Sequence, residues 1–127
     1  MPRGSIPILR IGSTLLVTIQ IDLHDALAEA FQEDILVTIE KQGASGLIID
    51  VSGLETVDSY VARLLTDTGK MARLMGTETV IVGVRPEVAA TLVRMGYTMG
   101  NAVHTALNVD DGLKLLGRPL MERPKKG

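Results

Sequence analysis

The chain has 127 residues and a formal net charge of -2 at pH 7, and 46% of its residues are hydrophobic. This length suits one domain, and this hydrophobic fraction argues against intrinsic disorder. The weak negative charge and an aromatic content of only 2% argue against an electrostatic or base-stacking grip on nucleic acid. The lack of cysteine excludes disulfides, thiol catalysis and thiolate metal sites, and it suits a reducing cytoplasm.

The first part of the chain predicts two strands and a helix. Residues 6–10 and 14–19 are short apolar stretches around Gly12 and Ser13, a pattern typical of a β-hairpin. A helix is predicted from the carboxylates of residues 22–25 to Lys41, with Gly43 ending it. Its buried face is expected to hold residues at helical spacing, namely Leu27, Ala30, Phe31, Ile35 and Thr38.

The rest of the chain alternates strands with helices. Strands are predicted at residues 47–51, 79–84 and 103–107, and helices at residues 59–75, 86–95 and 109–116. The second helix has a predicted buried stripe at Val61, Leu64, Leu65, Thr68, Met71, Ala72 and Met75. Gly69 within it indicates close packing against a neighbouring element.

This order of elements predicts an α/β domain with a mixed sheet of about five strands and about four helices. The domain is expected to span residues 1–117. Residues 118–127, with two prolines and four basic side chains, are expected to form a flexible basic tail. No stretch approaches the roughly 20 apolar residues of a membrane helix, so no membrane association is predicted.

Motifs for enzymatic or metal chemistry are missing from the sequence. We find no HExxH, paired-cysteine, EF-hand, Walker-type, GxGxxG or GxSxG pattern. The only histidines, His24 and His104, lie far apart and are interpreted as surface residues in a helix-start turn and at a strand end. The sequence therefore predicts no catalytic residue, metal or cofactor.

Residues 50–59 are the most informative stretch. A predicted buried strand ends at Asp50, a polar loop follows, and a helix begins at Ser59. In parallel α/β sheets, functional groups gather in the loops beyond the carboxyl ends of the strands. One interpretation makes Ser59 an N-cap, worth about 1 kcal/mol, and limits Asp50 and Asp58 to ordering the loop.

The other interpretation is that Ser59 accepts a phosphate. A helix N-terminus tolerates phosphate because unpaired N–H groups and the positive end of the helix dipole meet it there. Phosphorylation would add a charge of about -1.5 to -2 beside Asp58. A partner docked over the loop would then face charge repulsion and a desolvation penalty.

The strand ending at Asp50, its loop and the tripeptide Val57-Asp58-Ser59 resemble the STAS domain family of anti-sigma-factor antagonists. The element order resembles that family over essentially the whole chain. Further stretches resemble the RsbS-type scaffold subunits of the bacterial stressosome, at residues 6–9, 31–34, 74–76 and 86–89. Many simpler antagonists carry Ser or Thr and then Gly after the phosphorylated serine, whereas Tyr60 and Val61 stand here and favour the scaffold subfamily.

The resemblance implies a single STAS domain without catalysis, in which Ser59 is the phosphorylation site. It implies a serine kinase of RsbT type that is released when Ser59 is phosphorylated, an RsbR-type sensor protein, and a phosphatase that resets the serine. Self-association and assembly with the sensor are also implied. The loop residues expected to meet partners are Asp22, Asp25, Asp50, Thr56, Asp58 and Tyr60.

Two alternative functions stay open at this point. One is a STAS module that senses an anion, nucleotide or lipid, which requires a pocket. The other is a hydrolase or transferase. A shallow, exposed Ser59 favours docking of a protein, whereas a deep polar cavity beside it favours a ligand.

Overall fold

The computed structural model of the protein describes residues 6–19, 25–94 and 102–117. Within these ranges the chain forms five strands and four helices. In chain order they are β1 (Ile8–Ile11), β2 (Thr14–Thr18), α1 (Asp25–Gln42), β3 (Gly46–Asp50), α2 (Ser59–Leu74), β4 (Glu78–Val82), α3 (Pro86–Arg94), β5 (Val103–Ala106) and α4 (Val109–Gly117).

The strands form one mixed sheet in the order β1-β2-β3-β4-β5. β1 pairs with β2 in antiparallel fashion, and the other neighbouring strands pair in parallel. The prediction of a mixed five-stranded α/β sheet is confirmed. We call the edge where β2 to β5 end the carboxyl edge, and the edge where they begin the amino edge.

The sheet is covered on both faces, as a parallel sheet requires. On one face, α1, α2 and α3 pack over a large aliphatic core in which Leu47 and Ile49 of β3 are fully buried. On the other face, α4 covers a smaller cluster built on Ile48, Val80 and Val82. Because successive side chains of a strand point to opposite faces, β3 contributes to both layers.

The buried face of α1 differs from the predicted one. Ala30 is exposed, whereas Ala28 and Ile39 are buried together with Phe31 and Ile35. The buried residues 28, 31, 35 and 39 follow helical spacing. The predicted periodicity is correct, but the buried face is rotated about the helix axis relative to the predicted one.

The predicted buried stripe of α2 is correct for most of its length and wrong at its end. Met71, in the last turn of α2, and Met75, which follows the helix, are 40% and 41% exposed, whereas Ala72 in the same turn is fully buried, so the buried stripe is narrower there than predicted. The predicted close packing at Gly69 is confirmed. A Cβ there would lie 3.1 Å from the carbonyl oxygen of Ala102 and would collide with the side chain of Val103 in β5.

His104 was predicted to be a surface residue at a strand end, but it lies half-buried within β5. Its Nε2 is 3.2 Å from Oε1 of Glu78, a residue of the neighbouring strand β4. The two side chains meet because parallel pairing places Val80 opposite His104, two residues along β4 from Glu78. The prediction missed this contact because it treated the two strands separately.

Candidate functional site

The loop from residue 51 to residue 58 connects β3 to α2 at the carboxyl edge. Its apolar side chains Val51, Leu54 and Val57 are buried in the main core. The polar side chains between and directly after these buried residues are exposed, namely Ser52, Glu55, Thr56, Asp58 and Ser59. The regular burial of every third residue fixes the loop against the domain while its polar side chains stay accessible.

Asp58, and not Ser59, caps α2. The Asp58 backbone is extended, with φ -93° and ψ 177°, and its Oδ1 accepts a 2.9 Å hydrogen bond from the backbone N–H of Val61. This is the usual geometry of an aspartate N-cap. The interpretation of Ser59 as the cap is therefore wrong, and Ser59 is the first residue of the helix.

Tyr60 connects the start of α2 to α1. Its hydroxyl donates a 3.2 Å hydrogen bond to Oε2 of Glu29. Further along, the amide of Gln32 donates to the hydroxyl of Thr68 at 3.0 Å. These two contacts join α1 to α2, and the first of them connects Glu29 to Tyr60, the residue that follows Ser59.

Asp50 has a partner inside its own loop. The side chain is half-buried, and its Oδ1 accepts a 2.9 Å hydrogen bond from the backbone N–H of Ser52. The carbonyl of Ser52 in turn accepts a 2.9 Å hydrogen bond from Nε of Arg85, which follows β4. Asp50 therefore orders the loop, as the first interpretation of this residue proposed.

The structure brings together some of the predicted site residues but not all of them. Asp50, Thr56, Asp58, Ser59 and Tyr60 all lie on the stretch that joins β3 to α2. Asp22 lies outside the described residues. Asp25 is the first residue of α1.

Sequence reasoning missed Glu29 and Arg85. Each contacts the loop or the start of α2 from a position more than 30 residues away in the chain. The position of Arg85 directly after the predicted strand of residues 79–84, at the edge where the loop lies, is the one signal that pointed to it.

Exposed carboxylates lie near Ser59 in the sequence. Glu55 and Asp58 precede it, Glu29 is bonded to the adjacent Tyr60, and the nearest cation along the helix, Arg63, lies 3.7 Å from Asp67. Across the described part of the chain, no three His, Asp or Glu side chains come together as metal ligands. None of the described helices is both long enough and apolar enough to span a bilayer.

Comparison with known proteins identifies the family. The STAS domain model matches residues 5–112. Two curated relatives come from Bacillus subtilis strain 168: the RsbT co-antagonist protein RsbRA is 29% identical over 93 residues and RsbRD is 35% identical over 82 residues. These matches cover 66% and 65% of this chain, but only 34% and 29% of the relatives, so the chain spans about a third of their length.

Solved structures give the same result over nearly the whole chain. A serine-to-glutamate variant of RsbS from Moorella thermoacetica is 35% identical, with a TM-score of 0.79, covering 91% of this chain and 97% of that one. A chain from a structure of the stressosome, described as a signal integration and transduction hub, is 38% identical, with a TM-score of 0.77. That match covers 92% of this chain and 100% of the other.

Proposed function

Since the chain belongs to the STAS domain family, we propose that it is a non-enzymatic scaffold of a stressosome-type complex, switched by phosphorylation of Ser59. In this proposal the unmodified protein binds a serine kinase of RsbT type and a sensor protein of RsbR type in the cytoplasm. Phosphorylation of Ser59 releases the kinase, and a phosphatase restores the binding state.

The observation that carries the proposal is that Ser59 is exposed and that the capping role belongs to Asp58. The N-cap hydrogen bond to Val61 uses a carboxylate oxygen of Asp58, so modifying the Ser59 hydroxyl leaves that bond intact. A phosphate at the first helical position also meets the positive end of the helix dipole. The domain can therefore accept the modification without unfolding α2.

The modification is an ordinary phosphoryl transfer. The Ser59 Oγ forms a bond to the γ-phosphorus of ATP, the bond from that phosphorus to the bridging oxygen of ADP breaks, and the hydroxyl proton passes to a base of the kinase. The STAS domain contributes the acceptor and its docking surface. All the catalytic chemistry belongs to the kinase.

In this proposal the kinase is released because phosphorylation adds negative charge to its docking surface. Phosphoserine adds about -1.5 to -2 charge to a surface that already holds Glu55 and Asp58. The kinase must bury that charge next to bound nucleotide phosphates, so both like-charge repulsion and desolvation oppose the complex after transfer. Each 1.4 kcal/mol of lost binding free energy weakens the complex about tenfold.

The names and structures of the relatives support the assignment of partners. The Bacillus relatives are named as RsbT co-antagonists, and one structural relative comes from a stressosome. The exposure of Ser59 also favours docking of a protein at this site over sensing of a small ligand. The proposed scaffold joins the sensor and the kinase through separate surfaces of one domain.

Phosphomimetic substitution tests the release step. Ser59→Ala is expected to retain the kinase in the presence of ATP, whereas Ser59→Asp is expected to release it only partly, because one carboxylate carries less charge than a phosphate. Size-exclusion chromatography of the kinase with each variant measures retention. Equal retention by the Asp and Ala variants, together with full release from the phosphorylated protein, would show that charge alone does not drive release.

A further inference from the structure

We infer that Arg85 is a positioning residue for the kinase, which acts by fixing the loop that precedes Ser59. This inference rests on the proposed function and adds a second loop of the fold to it. Arg85 lies between β4 and α3, 33 residues from its contact on the loop. Its effect is exerted through the peptide backbone of Ser52.

The backbone of Ser52 is held at both of its polar groups by side chains from two neighbouring strand ends. Asp50, at the end of β3, accepts from its N–H at 2.9 Å, and Arg85, just after β4, donates to its carbonyl at 2.9 Å. One turn later, the N–H of Leu54 donates to the carbonyl of Val51 at 2.9 Å. The exposed first half of the loop is thus tied to β4 as well as to its own strand.

Gly83 allows the two loops to approach this closely. Its φ is +78°, in the left-handed region that favours glycine. A Cβ at this position would lie 2.8 Å from Oδ1 of Asp50 and 2.9 Å from Cβ of Ser52. Because a side chain at position 83 would collide with Asp50 and Ser52, a glycine there allows Arg85 to reach the carbonyl of Ser52.

The acceptor serine is fixed by other contacts. Asp58 caps the helix, and Val57 and Val61 are buried on either side of Ser59. Loss of the Arg85 contact is therefore expected to loosen the turn that begins at Ser52, between the buried side chains of Val51 and Leu54, and to leave the start of α2 in place. A kinase that docks over the loop must then order it on binding, which costs affinity and leaves the transfer step unchanged.

The test uses the full chain, a kinase of RsbT type and ATP. Initial rates of Ser59 phosphorylation give kcat and KM for the wild type, Arg85→Ala and Arg85→Lys. Arg10→Ala is the matched control, because Arg10 also makes an arginine side-chain hydrogen bond, to Oε1 of Gln42 at 3.2 Å, where α1 ends at the opposite edge of the sheet. Amide hydrogen exchange at Ser52 and Leu54 reports on loop order in the same proteins.

For Arg85→Ala we expect KM to rise roughly tenfold, with kcat within about twofold of the wild type, and faster exchange at both amides. Arg85→Lys, which can donate one bond to the same carbonyl, should recover part of both effects, and Arg10→Ala should show neither. An unchanged KM, a fall in kcat at constant KM, or a raised KM without faster exchange would overturn the inference. Absence of Ser59 phosphorylation in the wild type would instead overturn the proposed function itself.

Discussion

The two edges of the sheet are built differently. At the amino edge the connections from α1 to β3 and from α2 to β4 are short and bonded to one another: the N–H of Ser45 donates to the carbonyl of Ser13 at 2.9 Å, and the N–H of Glu78 donates to that of Ser45 at 3.0 Å. At the carboxyl edge the loop of residues 51–58 is longer, and most of its polar side chains are exposed. We therefore expect substitutions at the amino edge to change stability and, under the proposed function, substitutions at the carboxyl edge to change partner binding.

The difference has a topological origin. α1 and α2 both begin at the carboxyl edge, so the free N–H groups of their first turns lie there, while their last turns lie at the amino edge. The helix dipole stabilises a phosphate near the N-terminus of a helix and destabilises it near the C-terminus. A serine placed at the amino edge would not have the same capacity to hold this modification.

The largest expected difference between the edges is in phosphorylation itself. Ser59→Ala should abolish modification by the kinase, because it removes the acceptor oxygen. Ser45→Ala is the matched control, since Ser45 is an exposed serine at the amino edge, 2.8 Å from the hydroxyl of Ser13. Intact-mass analysis after incubation with kinase and ATP measures the result, and a phosphoryl group on the Ser59→Ala protein would show that the acceptor lies elsewhere.

The amino edge should show the largest loss of stability. Thr77 is buried and its hydroxyl donates to the carbonyl of Ala44 at 2.7 Å. Thr77→Val leaves that carbonyl without its partner and should lower the free energy of unfolding by about 1–3 kcal/mol. Urea denaturation measures the loss, and Ser59 should still be phosphorylated at the wild-type rate. Slower phosphorylation of Ser59 in a folded Thr77→Val protein would contradict the expectation that the amino edge affects stability alone.

Loss of the α2 cap should have a smaller effect on stability. Asp58→Ala removes the acceptor for the Val61 N–H and should cost about 1 kcal/mol, whereas Asp58→Asn keeps an acceptor and should stay within a few tenths of the wild type. The same denaturation assay compares the two. If both variants lose equal stability, the carboxylate charge contributes more than the hydrogen bond.

The smallest effect is expected at Tyr60. Its hydrogen bond to Glu29 is exposed, so water can replace the hydroxyl in Tyr60→Phe. The free energy of unfolding should change by less than about 0.5 kcal/mol. A loss above about 1 kcal/mol in thermal or urea unfolding would mean that this contact holds α1 and α2 together more strongly than its exposure indicates.

Hydrophobic patterning was sufficient to predict the elements. The predicted strand at residues 79–84 corresponds to β4, Glu78–Val82, and the predicted helix at residues 109–116 corresponds to α4, Val109–Gly117. Helical spacing identified the face of α2 but not how wide the buried part of that face is near the end of the helix, so the exposure of Met71 and Met75 beside the buried Ala72 was missed. Where a core ends depends on what packs against it, which spacing does not specify.

The sequence predicted those features of the candidate site that depend on neighbouring residues in the chain. Ser59 at a helix start was predicted correctly, but choosing between Asp58 and Ser59 as the cap required the backbone angles, because both residue types cap helices. Glu29 and Arg85 were missed because their contacts join segments distant in sequence. The hydrogen bond from Arg85 forms only because parallel pairing brings the ends of β3 and β4 together.

The most direct test is to compare the affinity of the kinase for unmodified protein with its affinity for protein phosphorylated stoichiometrically on Ser59, using isothermal titration calorimetry. We predict binding at least about a hundredfold weaker after phosphorylation, equivalent to about 2.7 kcal/mol. Equal affinity for the two forms would contradict the proposal that charge at this position controls the complex.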